Sequence, residues 1–192
     1  MKMKKYKHKL NLLLALTVLL TIALACGGNQ VEDANKLVAE ANKSIDEAKE
    51  LIATTEVKNT KLFSERINTV AEFTIYRNKS TNDAKTLIED FGKISDKLTD
   101  ASKKFGEAGK LKVADKFKEY LDLKSKEFAK RAEAVSNRKG NPQAFLDSTN
   151  PNDLPKIFDA NNTKSKSILD EAEEIGKKAD KIKDENKEIF KS

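Results

Sequence analysis

The sequence predicts an all-α protein, an elongated antiparallel bundle of four or five helices with coiled-coil-like heptad stripes. Three observations predict it. Apolar residues recur in steps of three and four along most of the chain after residue 30. No stretch alternates apolar and polar residues in the two-residue period of a strand. The only prolines, Pro142, Pro151 and Pro155, lie within fourteen residues of one another, so the chain on either side is free of the strongest helix breaker.

The N-terminus follows a different logic. Lys2, Lys4, Lys5, Lys7 and Lys9 precede an uncharged run from Leu10 to Ala25. Sixteen helical residues reach roughly 24 Å, short of the ~30 Å hydrocarbon core of a bilayer, so the run reads as the apolar region of a signal peptide. It ends in small Ala23 and Ala25 around Leu24, then Cys26, the one cysteine of the chain, and Gly27-Gly28.

Ala23-Leu24-Ala25-Cys26 resembles the lipobox of bacterial lipoproteins, although Ala23 and Leu24 stand where that family usually carries leucine and a small residue. The resemblance covers residues 1–28 and implies cleavage before Cys26 and acylation of its thiol. Two or more acyl chains hold a protein firmly, at ~0.8 kcal/mol per buried methylene. Residue 27 is glycine and not aspartate; by resemblance to diderm lipoproteins this implies no inner-membrane retention and an outer-membrane destination in a diderm host. An ordinary signal peptide cut near Ala25, or an uncleaved anchor, is the other reading. The chain then divides into a signal peptide at 1–25, a short lipidated tether at 26–30 and a single helical domain at 31–192.

Within that domain, Val31, Ala34, Val38, Ala41, Ile45, Ala48 and Ile52 form an unbroken three-four stripe, which predicts a first helix to about Thr55. Leu37 and Leu51 widen its apolar face. The pattern resumes at Leu62, Phe63, Ile67, Val70, Ala71, Phe73 and Ile75. It fails across Arg77 to Asn82, where Ser80 or Thr81 would cap a new helix; one long helix with a polar patch is the alternative.

Ala84, Leu87, Phe91, Ile94, Leu98, Ala101 and Phe105 predict the next helix, with Gly106 and Gly109 as its stop. A short turn would then send a helix back antiparallel over about 110–137, with Ala114, Phe117, Leu121, Phe128 and Val135 on its face. Residues 139–155 are expected to be an irregular loop, with Phe145 and Leu146 tucked against the bundle. Ile168, Ala172, Ile175, Ala179, Ile182 and Ile189 predict a last helix over about 156–190. Asn186 occupies a stripe position there and reads either as a buried register-setting asparagine or as a partly solvated one near the chain end.

Composition restricts the chemistry. The whole chain carries 37 Lys plus Arg against 31 Asp plus Glu, but five of the lysines lie in residues 1–9, leaving 32 against 31 and a net charge of about +1. That removes the basic stripe a nucleic-acid partner would require. The chain after residue 25 has no His, Met or Trp, and no Cys besides Cys26. His-based nucleophile pairs, Glu-x-x-His di-iron sites, haem ligation and disulfides are excluded there. No glycine-rich phosphate loop is present. No cofactor, metal or catalytic residue is expected. The densest acidic cluster, Asp170, Glu171, Glu173 and Glu174, reads as a solvated face.

Charge is unevenly spread. Residues 31–56 hold seven acids and three lysines, whereas residues 110–139 hold ten bases and five acids. Either these two helices attract as neighbours or remain solvated, or Lys112, Lys116, Lys124, Lys126, Lys130 and Arg131 offer a surface to an anionic partner. The expected function is a membrane-anchored, non-enzymatic binding or structural module of the cell envelope, its partner an envelope protein or another macromolecule. The alternative is a surface-exposed adhesin or immune-evasion lipoprotein that binds a host ligand through the basic helix, since the lysine-rich body behind a lipobox is similar in style to helical outer-surface lipoproteins. Heptad stripes pack equally well within one chain or across a homodimer.

Overall fold

Stripes of the kind just described cannot be buried by a single helix, and the structure buries them in a row of antiparallel neighbours. A computed structural model describes residues 28–190; the expected signal segment and Cys26 lie outside the described residues. Four long helices, α1 (Gly28–Leu62), α3 (Thr81–Gly109), α4 (Asp115–Arg138) and α6 (Leu154–Glu185), are joined by two short ones, α2 (Val70–Lys79) and α5 (Gly140–Asp147). A 3-10 turn at Lys187–Phe190 follows α6. The described residues contain no strand.

The long helices pack in chain order, α1 on α3, α3 on α4 and α4 on α6, each antiparallel to the last. Lys104 and Lys97 of α3 pair with Glu40 and Glu47 of α1. Ser102 and Ser95 donate to the carbonyls of Ser125 and Ala132 on α4. The acidic α1 therefore faces α3 and not the basic α4, and Arg138 with Glu56 is the ion pair that bridges α1 and α4 directly. Leu87, Phe91, Ile94, Leu98, Ala101 and Phe105 of α3 are buried as their spacing predicts, facing Val38, Ala41, Ile45 and Ala48 of α1 and Leu121 and Phe128 of α4.

Several boundaries differ from expectation. Helix α1 does not stop at Thr54-Thr55. Thr54 donates to its own helix at Leu51 O, 3.0 Å away, which a helix absorbs, and Thr55 occupies the next stripe position, buried. The chain does break at Ser80, between α2 and α3, but without a side-chain cap from Ser80. The stronger signal lies eleven residues earlier, where Thr69 and Glu72 form a reciprocal capping box that starts α2. Helix α4 begins at Asp115, because Ala114 holds an extended backbone (φ −57°, ψ 141°) after a turn over 110–113. The expected stop glycines have no left-handed backbone. Gly106 lies inside α3, and Cβ atoms at Gly106 and Gly109 would stand 3.2 and 3.0 Å from Ser125 Oγ and Asp122 Oδ1, so both allow α4 a close approach.

Residues 139–155 are irregular only in part: Gly140–Asp147 form α5, and 148–153 are a turn. Pro142 lies in the first turn of α5, where a missing N–H costs nothing, and Phe145 is buried. Helix α6 likewise opens on Leu154-Pro155 and ends at Asn186, whose side chain donates to Ile182 O at 2.7 Å. Asn186 is partly exposed and terminates the helix.

The two ends of the rod are capped by different ring clusters. At one end Phe145 meets Phe63, Phe73 and Tyr76 edge-on at 5.6–5.9 Å, and Phe63 meets Phe158 at 4.9 Å. At the other, Phe190 packs edge-on against Phe117 and Tyr120. Replacing Phe145 with Ala is expected to cost about 3–5 kcal/mol in urea unfolding and to loosen α2 first.

The α1–α3 ion pairs set the acid response. Hydrogen bonds from Lys104 and Lys97 hold the Glu40 and Glu47 carboxyls below their ordinary value of 4.5, so their contribution is present above that value and lost as pH falls through the lowered one. The same bonds raise Lys104 and Lys97 above 10.5, and their contribution fades only as pH rises through the raised values. Urea midpoints should be flat between these limits, and Glu40→Gln with Glu47→Gln should flatten the fall on the acid side.

Candidate interaction surfaces

Helix α4 is covered on two sides, and this decides which of its basic residues are available. Of the six predicted as a surface, Lys124 is unavailable: it is completely buried, because it lies on the core stripe itself, three residues after Leu121 and four before Phe128. The seven-residue gap between those two apolar residues was the sequence signal for it. Its Nζ donates to Glu127 Oε2 at 2.5 Å and stands 5.2 Å from the Phe128 ring centroid.

Glu127 is buried as well, and its second oxygen accepts from Arg131 Nε at 2.8 Å. Arg131 is thereby turned inward. The carboxylate faces α6 at Gly176, where a Cβ would come within 3.0–3.1 Å of all three carboxylate atoms. Near the same seam Tyr120 is buried with no hydrogen-bond partner for its hydroxyl. Burial, with Asp180 and Glu127 nearby, pushes that phenol above its ordinary range. Farther along, the Asn137 side-chain amide donates to Asn161 O and Ser165 Oγ, both at 2.9 Å. The α4–α6 contact therefore sets a buried ion pair and side-chain hydrogen bonds beside its apolar residues.

The remaining basic residues are dispersed. Lys130 pairs with Glu171 at 2.8 Å and Lys116 with Glu119 at 2.8 Å, and each ammonium is raised above 10.5 by the hydrogen bond its carboxylate accepts. Lys112 and Lys126 are exposed. The acidic cluster on α6 is exposed and matched by lysines: Asp170 with Lys166, Glu171 with Lys130, Glu173 and Glu174 with Lys177. No group of three or more His, Cys, Asp or Glu among the described residues could hold a metal.

An open groove of about 520 Å³ lies between α2, α3 and α5, lined by Arg77, Asn78, Lys85, Ile88, Gln143 and Asp147 among others. Three of its polar side chains are already engaged. Arg77 donates to Ser148 O and covers the Phe73 ring, and Gln143 donates to both Asp147 oxygens at 2.9 Å. Nothing converges there as a binding or catalytic set.

Large apolar side chains reach solvent at one end. Val57, Val70 and Ile75 are 70, 51 and 70 % exposed, and Ile157 is 38 % exposed; all four lie within a few residues of the Phe63–Phe145 ring cluster. On α2, Val70, Ala71, Thr74, Ile75 and Asn78 share one uncharged outward face. Spacing alone places Val70, Phe73 and Ile75 alike on the apolar pattern; only Phe73 is buried, because a ten-residue helix resting on a bundle end can bury only one narrow edge.

No helix among the described residues is long and apolar enough to cross a membrane. No family model, no curated protein and no solved structure matches the chain.

The glycine at the α4–α6 seam yields a paired test. Alanine in place of a mid-helix glycine favours a helix by ~1 kcal/mol, and Gly92→Ala should realise that gain, since only the flexible end of Lys139 lies near, at 3.4 Å. Gly176→Ala should instead destabilise the protein, because Lys124 and Arg131 pin the carboxylate it would strike. Thermal unfolding of the two variants would reveal opposite signs.

Proposed function

We propose that the chain is a lipid-anchored helical module of a bacterial cell envelope, with a non-enzymatic binding or structural role. One observation carries the reading. Helix α1 begins at Gly28, two residues after the one cysteine of the chain, at the end of an apolar export-type run. Acylation of Cys26 would attach the rod to a membrane by one end. At ~1.5 Å per residue, the 35 residues of α1 span roughly 50 Å, which would hold the α2–α5 end that far from the point of attachment.

That far end, with the uncharged outer face of α2, is the surface proposed to meet a macromolecular partner. Val70, Ala71 and Ile75 lie together on one exposed face of α2, and a contiguous exposed apolar patch marks an interaction site. Binding through a basic α4 draws less support, since Lys124 and Arg131 point inward and Lys116 and Lys130 are paired.

In cells, Cys26→Ser should move the protein from the membrane to the soluble fraction. Intact-mass measurement of the wild-type chain should find a start at Cys26 carrying acyl chains. A mature chain without them would overturn the reading.

A further inference from the structure

The turn between α3 and α4, residues 110–114, reads Lys-Leu-Lys-Val-Ala. Lys110, Lys112 and Ala114 are exposed, and Leu111 and Val113 are only partly covered by the core. The backbone N–H of Lys112 donates to Gln30 Oε1 at 2.6 Å, which fastens this turn beside the first turn of α1. Cys26 is four residues from Gln30 and two from the start of α1. Two residues reach at most ~7 Å, so an acyl group on Cys26 would hold the turn at the depth of lipid headgroups.

We infer that residues 110–114 are a membrane-contact element. Lys110 and Lys112 meet lipid phosphates, and Leu111 and Val113 rest between the headgroups, so the rod stands on its α3–α4 end with α2 and α5 outermost. The inference rests on the acylation of Cys26 proposed above.

A single covalent attachment holds a rod but leaves it free to tilt. A second contact displaced from the first removes that freedom, and lysines flanked by apolar residues suit an interface that is wet on one side and oily on the other. The same end also carries Glu32, Asp33 and Asp115, all exposed. Their repulsion from anionic lipid keeps the turn from adding much affinity. The acyl chains supply the affinity and the turn supplies the orientation.

The chain has no tryptophan, so single reporters can be placed at either end. Full-length protein carrying Leu111→Trp, and separately Ile75→Trp, would be purified from membranes and reconstituted into vesicles of phosphatidylethanolamine and phosphatidylglycerol. Lipids brominated near the headgroup end of their acyl chains serve as quenchers, and intact mass on each sample reads acylation. The expected result is a blue-shifted, strongly quenched Leu111→Trp reporter and an unshifted, unquenched Ile75→Trp reporter. Adding Lys110→Glu and Lys112→Glu should cut the Leu111→Trp quenching toward the Ile75→Trp level with helicity retained.

Acylated protein in which neither reporter is quenched, or both equally, overturns the proposal while leaving the lipoprotein reading intact. Persistence of quenching after the charge reversal overturns the role of the two lysines. Protein without acyl chains overturns the lipoprotein reading and this inference with it.

Discussion

Leu87, Phe91, Ile94, Leu98, Ala101 and Phe105 of α3 are all screened from solvent, and α1 and α4 close over them from two sides. A helix covered on two sides must bury a wider arc, whereas an outer helix such as α1 needs only a narrow stripe. This asymmetry organises the rod. Helix α1, at one outer position, carries a stripe of mostly small residues, Ala34, Ala41 and Ala48 with Val38 and Ile45, which brings it close to α3. Ion pairs along the flanks, from Glu40–Lys104 to Lys58–Asp90, then set the register.

The opposite outer helix is held differently. Between α4 and α6 the structure buries a carboxylate, an ammonium and several amide and hydroxyl groups. A buried ion pair contributes little net stability once its desolvation is counted, and its clearest effect is on geometry. Glu127 fits only opposite Gly176, the one buried glycine of α6, so the seam fixes how far α6 can slide along α4.

The ends of the rod contrast chemically. One is polar and lysine-bearing at the α3–α4 turn, beside the start of α1. The other gathers the aromatic cluster around Phe145 and leaves Val70 and Ile75 in solvent. A rod with unlike ends would have a built-in direction if attached by one of them, which is the physical basis of the roles proposed for each.

Hydrophobic periodicity by itself determined the all-α class and most of the core of α1, α3 and α6, because a three-four repeat admits only one face for burial, and the short connection after α3 implied the antiparallel return. It could not decide where a polar residue substitutes for an apolar one on that face. Thr55 and Lys124 both sit on stripes, and only the presence of a partner, the extended α1–α3 contact for one and Glu127 for the other, tells a buried position from a break or a surface. Helix α5, and the separate start of α2 at Val70, were hidden for the same reason. Their residues were visible as apolar or proline-containing, but which edge is covered depends on how the ends of four other helices converge, and that is a property of the tertiary packing alone.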